Sequence, residues 1–597
     1  MTLVALFLLV LLTLAAGQPS LPVPPSQQKP TNTDAEALGA VFRLWGLTIN
    51  ASEGACPSHA WHGKPGEKAS VNCSCSAECR VTHLNVTGFR NITVIPPELF
   101  NLTELVSLDL SNNNLSGPIP PEVANLSKLE TWHFNNNQLS GSFPSQSSSL
   151  RNLQSLWMFD NYIEGPVPQF IENLTNLIDL RMYGMKLQGP IPQNFSNLTN
   201  LEILMLGDLE GGRSSFNFIA NGSNLSTLSL RKCGISDQLS STLPNLPKLK
   251  YLDLRLNNLP GPIQPLSNYT NKTYLYLGGN NFNGPLPPEF VQSSLALDVS
   301  YNLFLNGTLP GPKKSINYIN TSIDANSTIG SENLTLLNCL RTKECNRNNY
   351  TNHVTSFAIN CGGKLHHSDP LRTVFDEDST NLGAAGFHVN TVSQWIVSHV
   401  GSDPFSESPG IVNTSSNPIA NLSELYQTAR TSTSALWYYL VGLANGKYIV
   451  QLFFAEIVIV DGPGRRLFNI DIQGQNIKKD FDITNEAGGS RIPMNITHEA
   501  IADNSTLEIH LYWSGRGTCC IPYDGAYGPL VSAIKVFPYQ ELNIPPPQAP
   551  PHSTRQDEKR QGVVAGIAAL CIAAAVISSS IIYLWWKWVS LVKRPMA

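Results

Sequence analysis

One pattern recurs from residue 84 to residue 297 and constrains everything else. It reads L-x-L-x-x-N-x-L-x-G-x-[IVLF]-P, as in Leu108, Leu110, Asn113, Leu115, Gly117, Ile119 and Pro120. The same phase returns from Trp132 to Pro144, from Leu156 to Pro168, and again from Leu180, Leu204, Leu228, Leu252, Leu275 and Leu297, with a weaker first copy at Leu84. A unit of about 24 residues cannot bury its apolar face alone, so the copies must stack into a solenoid. Each L-x-L predicts a short strand with both apolar side chains in the core. The Asn after it predicts an inward amide that satisfies buried backbone groups of the following loop. Cys233 takes that position in one copy and is expected to be a free, buried residue of the Asn ladder. Met185 and Leu209 take it in two adjacent copies, which predicts local irregularity there.

The period is the leucine-rich-repeat signature. The Gly-x-Ile-Pro tail resembles the plant-specific class of these repeats. Ahead of them, Leu38, Val41, Phe42 and Trp45 form one apolar face of a predicted short helix. Cys56, Cys73, Cys75 and Cys79 follow and resemble that class's N-terminal cap. Four cysteines in a secreted segment predict two disulfides, with three pairings open.

The two ends of the chain set the compartment. Leu3 to Leu14 is an apolar run too short to span a bilayer, and Ala15, Ala16 and Gly17 follow it. That is a signal-peptide pattern. Gly562 to Trp586 is uncharged and apolar over about 25 residues, enough for a transmembrane helix. Lys587, Lys593 and Arg594 follow it, which predicts a cytoplasmic C-terminus. The sequons at Asn85, Asn101, Asn125, Asn173, Asn197, Asn268, Asn306, Asn421 and Asn495 predict a glycosylated surface. Several precede their strand by seven residues, so their glycans form a column beside an open concave face. The formal net charge of −5 argues against nucleic acid as a partner.

Beyond the repeats the composition changes. Tyr448 to Phe454, Leu467 to Ile472 and Leu507 to Trp513 alternate as strands, with no helical period between them. That predicts a β-sandwich. Ile359 to Gly363, Leu425 to Arg430, Tyr448 to Glu456, Arg466 to Gly474, Lys479 to Ile483 and Gly528 to Ile534 resemble the malectin family, in its order. Cap, repeats, malectin domain and one membrane span together resemble a subfamily of plant receptor-like serine/threonine kinases. The resemblance implies a plasma-membrane receptor, single-pass type I with its N-terminus outside, and a co-receptor kinase as partner. The Gly-rich loop, strand Lys, HRD and DFG of a kinase are absent from these 597 residues, so no enzymatic activity, cofactor or metal is expected of them. Two organisations are compatible with that: a receptor form without a kinase, and the outer part of a longer receptor kinase.

The expected fold is a right-handed leucine-rich-repeat solenoid of short parallel strands, then an all-β malectin-like sandwich and one transmembrane helix. The expected boundaries are a signal peptide 1–17, Pro-rich segment and Cys cap 18–80, repeats 81–312, linker 313–350, malectin-like domain 351–540, Pro-rich juxtamembrane segment 541–561, membrane helix 562–586 and cytoplasmic tail 587–597. The candidate ligand-binding residues are the exposed positions beside the strand leucines: Trp157, Phe159, Arg181, Tyr183, Arg231, Arg255 and Tyr276. They fall in two columns, and aromatic and Arg side chains dominate binding hot spots. Tyr426 matches a sugar-stacking position of malectin, whereas Val458 and Ile459 replace its aromatic pair, and Tyr527 or Gly528 its Asp. The expected ligand is an extracellular peptide, protein or carbohydrate. A carbohydrate-binding cell-wall sensor and an inhibitor of secreted wall-degrading enzymes are the alternatives. His366, His367 and Asp369, and the carboxylates Glu456 and Asp461, carry no metal or catalytic spacing of their own. The adjacent Cys519 and Cys520 are expected to pair elsewhere, with Cys361, Cys339 or Cys345.

Overall fold

The computed structural model describes residues 33–47, 61–62, 67–75, 78–239, 246–263, 273–288, 291, 294–302, 304–308, 315–324, 331–342, 345, 354–368, 373–401, 410–414, 422–459, 466–517 and 527–539. The expected signal peptide, membrane helix, tail and glycosylation sites Asn268 and Asn421, and Cys519 and Cys520, lie outside these. Among the described residues no helix is long and apolar enough to cross a membrane.

The repeats coil as their period requires. A sheet of 13 strands runs along the solenoid, its first three strands antiparallel and the rest parallel. Leu108, Trp132, Leu156, Leu180, Leu204, Leu228, Leu252, Leu275 and Leu297 stay in register from strand to strand. All nine are buried in one continuous core, which also receives Leu38, Val41, Phe42 and Trp45 of the cap helix Thr33–Trp45. The ladder amides act as the pattern predicts. Asn161 Nδ2 donates to Phe134 O and Met158 O, both at 3.1 Å, and Leu139 N donates to Asn161 Oδ1 at 3.0 Å. Cys233 stands in the same ladder, buried and free. Burial pushes its thiol pKa well up, and the carboxylates of Asp208 and Asp253 add to the shift.

A second set of strands follows the Gly-x-Ile-Pro tails, and it is split. Ser116–Gly117, Gln138–Gly141, Tyr162–Pro166 and Lys186–Gln188 form one sheet, and Pro260–Pro262, Asn281–Pro285, Phe304–Thr308 and Ser322–Asp324 form another. Only isolated bridges, Gln188 to Glu210 and Ser214 to Ile235, lie between them among the described residues. The gap falls on the copies with Leu209 and Cys233 at the ladder position, whereas the Met185 copy, expected to be irregular, keeps its strand Lys186–Gln188.

The boundaries shift at two places. The solenoid continues past 312, because Ile316–Asn317 and Ser322–Asp324 add one more coil. The segment assigned as linker also holds a helix, Ser331–Thr342, closed by a Cys339–Cys345 disulfide. Those two cysteines are therefore not partners of Cys519 or Cys520, and Cys361 is buried and free. In the cap, Cys75 pairs with Cys79, four residues apart across a tight hairpin, and Cys73 is also disulfide-bonded.

Residues 354–539 form the sandwich. One sheet holds Phe357–Cys361, Thr373–Asp378, Gly446–Phe454, Met494–Ala502 and Ala533–Pro538. The other holds Ala385–Asn390, Trp395–Val400, Ala435–Val441, Arg466–Ile472, Gln475–Phe481 and Thr506–Gly517. Ile359, Val450, Leu452, Leu436, Tyr438, Ile470 and Ile509 fill the core between them. One short helix, Ile483–Ala487, departs from the all-β expectation; Asp482 caps it by accepting from Thr484 N and Asn485 N. Arg430 and Asp378 make a buried ion pair at 2.6 Å, and the Tyr438 hydroxyl donates to the same carboxylate at 2.7 Å. Such a pair is costly to break once buried, so it ties two strands that do not pair with each other.

Candidate ligand-recognition face between solenoid and sandwich

The candidate residues do form two columns. Trp157, Arg181, Met205, Ser229, Asp253 and Tyr276 are paired in register across successive strands, and Gly207 pairs with Arg231 in the next column. The expected open face is not there. Arg181, Tyr183, Arg231 and Arg255 keep 5–8% of their surface, Phe159 1% and Tyr276 none. The sandwich sits on them.

The contact is made by residues with nothing to do in the sandwich core. Tyr183 meets Trp513 edge-on, with ring centroids 5.6 Å apart, and Phe159, Tyr183, Met205 and Tyr527 share an apolar cluster. Further along, Tyr251 and Tyr276 pack on Ala385 and Val400, and Tyr301 meets Trp437 at 5.0 Å. Asn317 Nδ2 donates to Ser398 Oγ at 2.8 Å. Backbone closeness finishes the fit: a Cβ on Gly184 would lie 1.8 Å from the carbonyl oxygen of Gly515.

Electrostatics inside this face are uneven. Arg181 forks onto Asp179 at 2.9 and 2.8 Å and lies over Trp157, 4.1 Å from its ring centre. Arg255 forks onto Asp253 and lies 4.8 Å over Tyr276. Burial acts to lower the Arg255 pKa, but attraction and hydrogen bonds from Asp253 outweigh it, so the guanidinium stands above its ordinary value. In both cases the carboxylate is two residues before the Arg. Arg231 has Ser229 at that place. It lies 5.4 Å over Trp513, and its Nε and Nη1 are buried without a hydrogen-bond partner. His510 stacks on Trp437 at 3.4 Å; burial first, and the Arg231 charge second, hold its pKa well below the usual range.

Trp513, Asp208, Asp253 and His510 belong to this face and were not among the expected residues. The signal for one of them, His510, was present. Trp437 and Tyr439 alternate with core residues on one strand, as do His510 and Tyr512 on another, and an outward face that is aromatic rather than polar announces a covering partner.

Tyr426 lies apart from the columns. It is half-buried against Phe453, with centroids 6.3 Å apart, and burial raises its pKa. His366 Nδ1 is 3.5 Å from Glu424. Glu456 is bound to Arg466 at 2.6 Å and accepts from Val458 N and Ile459 N, so its carboxylate shapes a loop. Among the described residues no group of His, Cys, Asp and Glu could hold a metal. Asn101, Asn125, Asn173, Asn197, Asn306 and Asn495 are exposed; the first four each end a 3₁₀ turn. Asn85 is different, because it stands on the strand face and its Nδ2 is 3.4 Å from Asp109.

A repeat solenoid joined to a malectin-like sandwich defines a two-module recognition architecture, and each module has its counterpart among known proteins. Residues 66–262 match a leucine-rich repeat region and residues 355–534 the malectin domain. The chain combines these two modules and is related by sequence to leucine-rich-repeat receptor-like serine/threonine-protein kinases. One probable kinase of this kind from Arabidopsis thaliana is 41% identical over 262 residues, covering 41% of this chain and 25% of that protein. A second is 35% identical over 378 residues, covering 61% of this chain and 34% of that protein. The chain thus matches about a quarter to a third of the length of these relatives. The leucine-rich-repeat ectodomain of the Arabidopsis thaliana receptor kinase GASSHO1/SCHENGEN3, solved in complex with CASPARIAN STRIP INTEGRITY FACTOR 2, aligns at 25% identity and a TM-score of 0.39. That alignment covers 49% of this chain and 41% of that one.

Proposed function

We propose that this chain is the extracellular recognition unit of a plasma-membrane receptor. It reads an extracellular peptide, protein or glycan and passes the signal to a kinase, either in its own polypeptide, as in its relatives, or in a co-receptor. The kinship to receptor-like kinases supports the class. The observation that carries the mechanism is the burial of Tyr183, Arg231 and Tyr276 under the sandwich. Solenoid and sandwich then act as one recognition body, and the ligand is read by the two modules together.

The test is to screen the full chain, in detergent, against arrays of secreted peptides and oligosaccharides. Hydrogen exchange with a captured ligand should place protection on both modules. Protection confined to the strands from Ser155 to Tyr276 would overturn the shared-body reading. No selective ligand in either array would sink the receptor reading itself. A glycan reading is favoured only if protection centres on Tyr426 and Phe453, where a half-buried aromatic pair is available to a sugar ring.

A further inference from the structure

Beside Arg231 lies a cavity of about 60 Å³. Its walls include Tyr183, Asp208, Arg231 and Arg255 of the solenoid and Trp513 and Tyr527 of the sandwich. Three buried guanidinium nitrogens here lack a hydrogen-bond partner: Nε and Nη1 of Arg231 and Nη1 of Arg255. One buried acceptor lacks one, Oδ2 of Asp208. Asp253 is already taken by Arg255. Buried donors without acceptors are rare and costly, and they mark where a further group belongs.

What that group is follows from sign, number and size. Three donors against one acceptor call for a group rich in lone pairs. A guanidinium takes two coplanar oxygens well. Asp208 offsets part of the positive field, so a single negative charge suits the site better than a dianion. A cavity of about 150 Å³ holds benzene, six heavy atoms, so about 60 Å³ holds the three atoms of one carboxylate, and because the cavity is partly open the rest of a ligand stays outside it. We propose that this cavity is a binding site for a carboxylate group of an external ligand, gripped by Arg231 with Arg255 beside it. The proposal rests on the recognition-unit reading for its biological use but not for its chemistry.

The sequence supplies the decisive variant. Ser229→Asp restores the carboxylate that Asp179 gives Arg181 and Asp253 gives Arg255. It fills the demand from within and leaves the guanidinium in place. The probe is sodium acetate against acetamide at matched ionic strength, read as the thermal midpoint of the full chain by tryptophan fluorescence. Acetate should raise the midpoint by about 2–4 °C near saturation, and acetamide should not. Ser229→Asp and Arg231→Met should both abolish the response; if Arg231→Met does not fold, Ser229→Asp decides alone. Equal responses to acetate and acetamide, or a response that survives in Ser229→Asp, would overturn the proposal. A response seen only after Asp524→Asn, three residues before Tyr527, would assign the site to the chain's own carboxylate and also overturn it. N-acetylglycine against its amide separates sources: a larger shift than with acetate supports a carboxylate at the end of a peptide, an equal one a free small acid. A flat acetate titration alongside a captured array ligand would end this proposal and leave the receptor reading standing.

Discussion

Asn161 makes four hydrogen bonds to backbone with one small side chain. Asn161→Ala leaves those groups unpaired and should cost about 2–4 kcal/mol, read from urea unfolding of the full chain. This role was legible in sequence because it is local: the groups it serves recur at the repeat period. The surroundings of Arg231 were not legible, because Trp513 comes from the other domain. Histidines set the pH dependence. Burial first, and Arg181 second, lower the pKa of His133 to about 3, and burial first, then Arg430, lowers that of His399 to about 4. His510 is shifted the same way. Unfolding lets all three take protons near pH 6.5, so the unfolded state binds more protons below that value. Stability should be full above pH 6.5 and fall as pH drops from there towards 4. Urea midpoints across that range check it, and a flat profile would contradict the burial of these rings.

Two strands show why the sandwich seats where it does. Trp395–Val400 is buried at every position. Trp395 and Val397 enter the sandwich core, while Ile396 and Val400 turn to the solenoid side. The alternation expected of an antiparallel sheet with one wet face is missing here, and that absence was readable in the run of apolar residues. The docking partner was not readable, since burial on two sides does not name what lies on the second. Gly184 marks the tightest approach. Its φ of +64° already favours glycine, and a Cβ would collide with Gly515 O. Gly184→Ala should destabilise by about 1–3 kcal/mol and speed amide exchange along Thr506–Gly517. Unchanged exchange there would mean the two backbones do not meet.

At the scale of the molecule, the class and order of modules followed from sequence: the repeat period and the malectin motifs are each local signals. Their mutual seating did not, because it depends on aromatic and charged side chains whose partners are hundreds of residues away. It makes the two modules energetically coupled. Trp513→Ala removes the edge contact to Tyr183 and the ring under Arg231. It should cost about 3 kcal/mol and split a single calorimetric transition into two, one for each module. A single transition that simply moves to lower temperature would argue against coupling through this residue.

The break in the second sheet between Gln188 and Pro260 has a mechanical meaning. A coil held by two hydrogen-bonded rails resists twisting; one whose second rail is interrupted is soft at the gap. Arg231 and Asp208, two of the residues clasped by the sandwich, stand within that stretch. The sandwich is a splint across that span: it covers the coil where the second rail is reduced to single bridges, so loss of its grip should be felt there first.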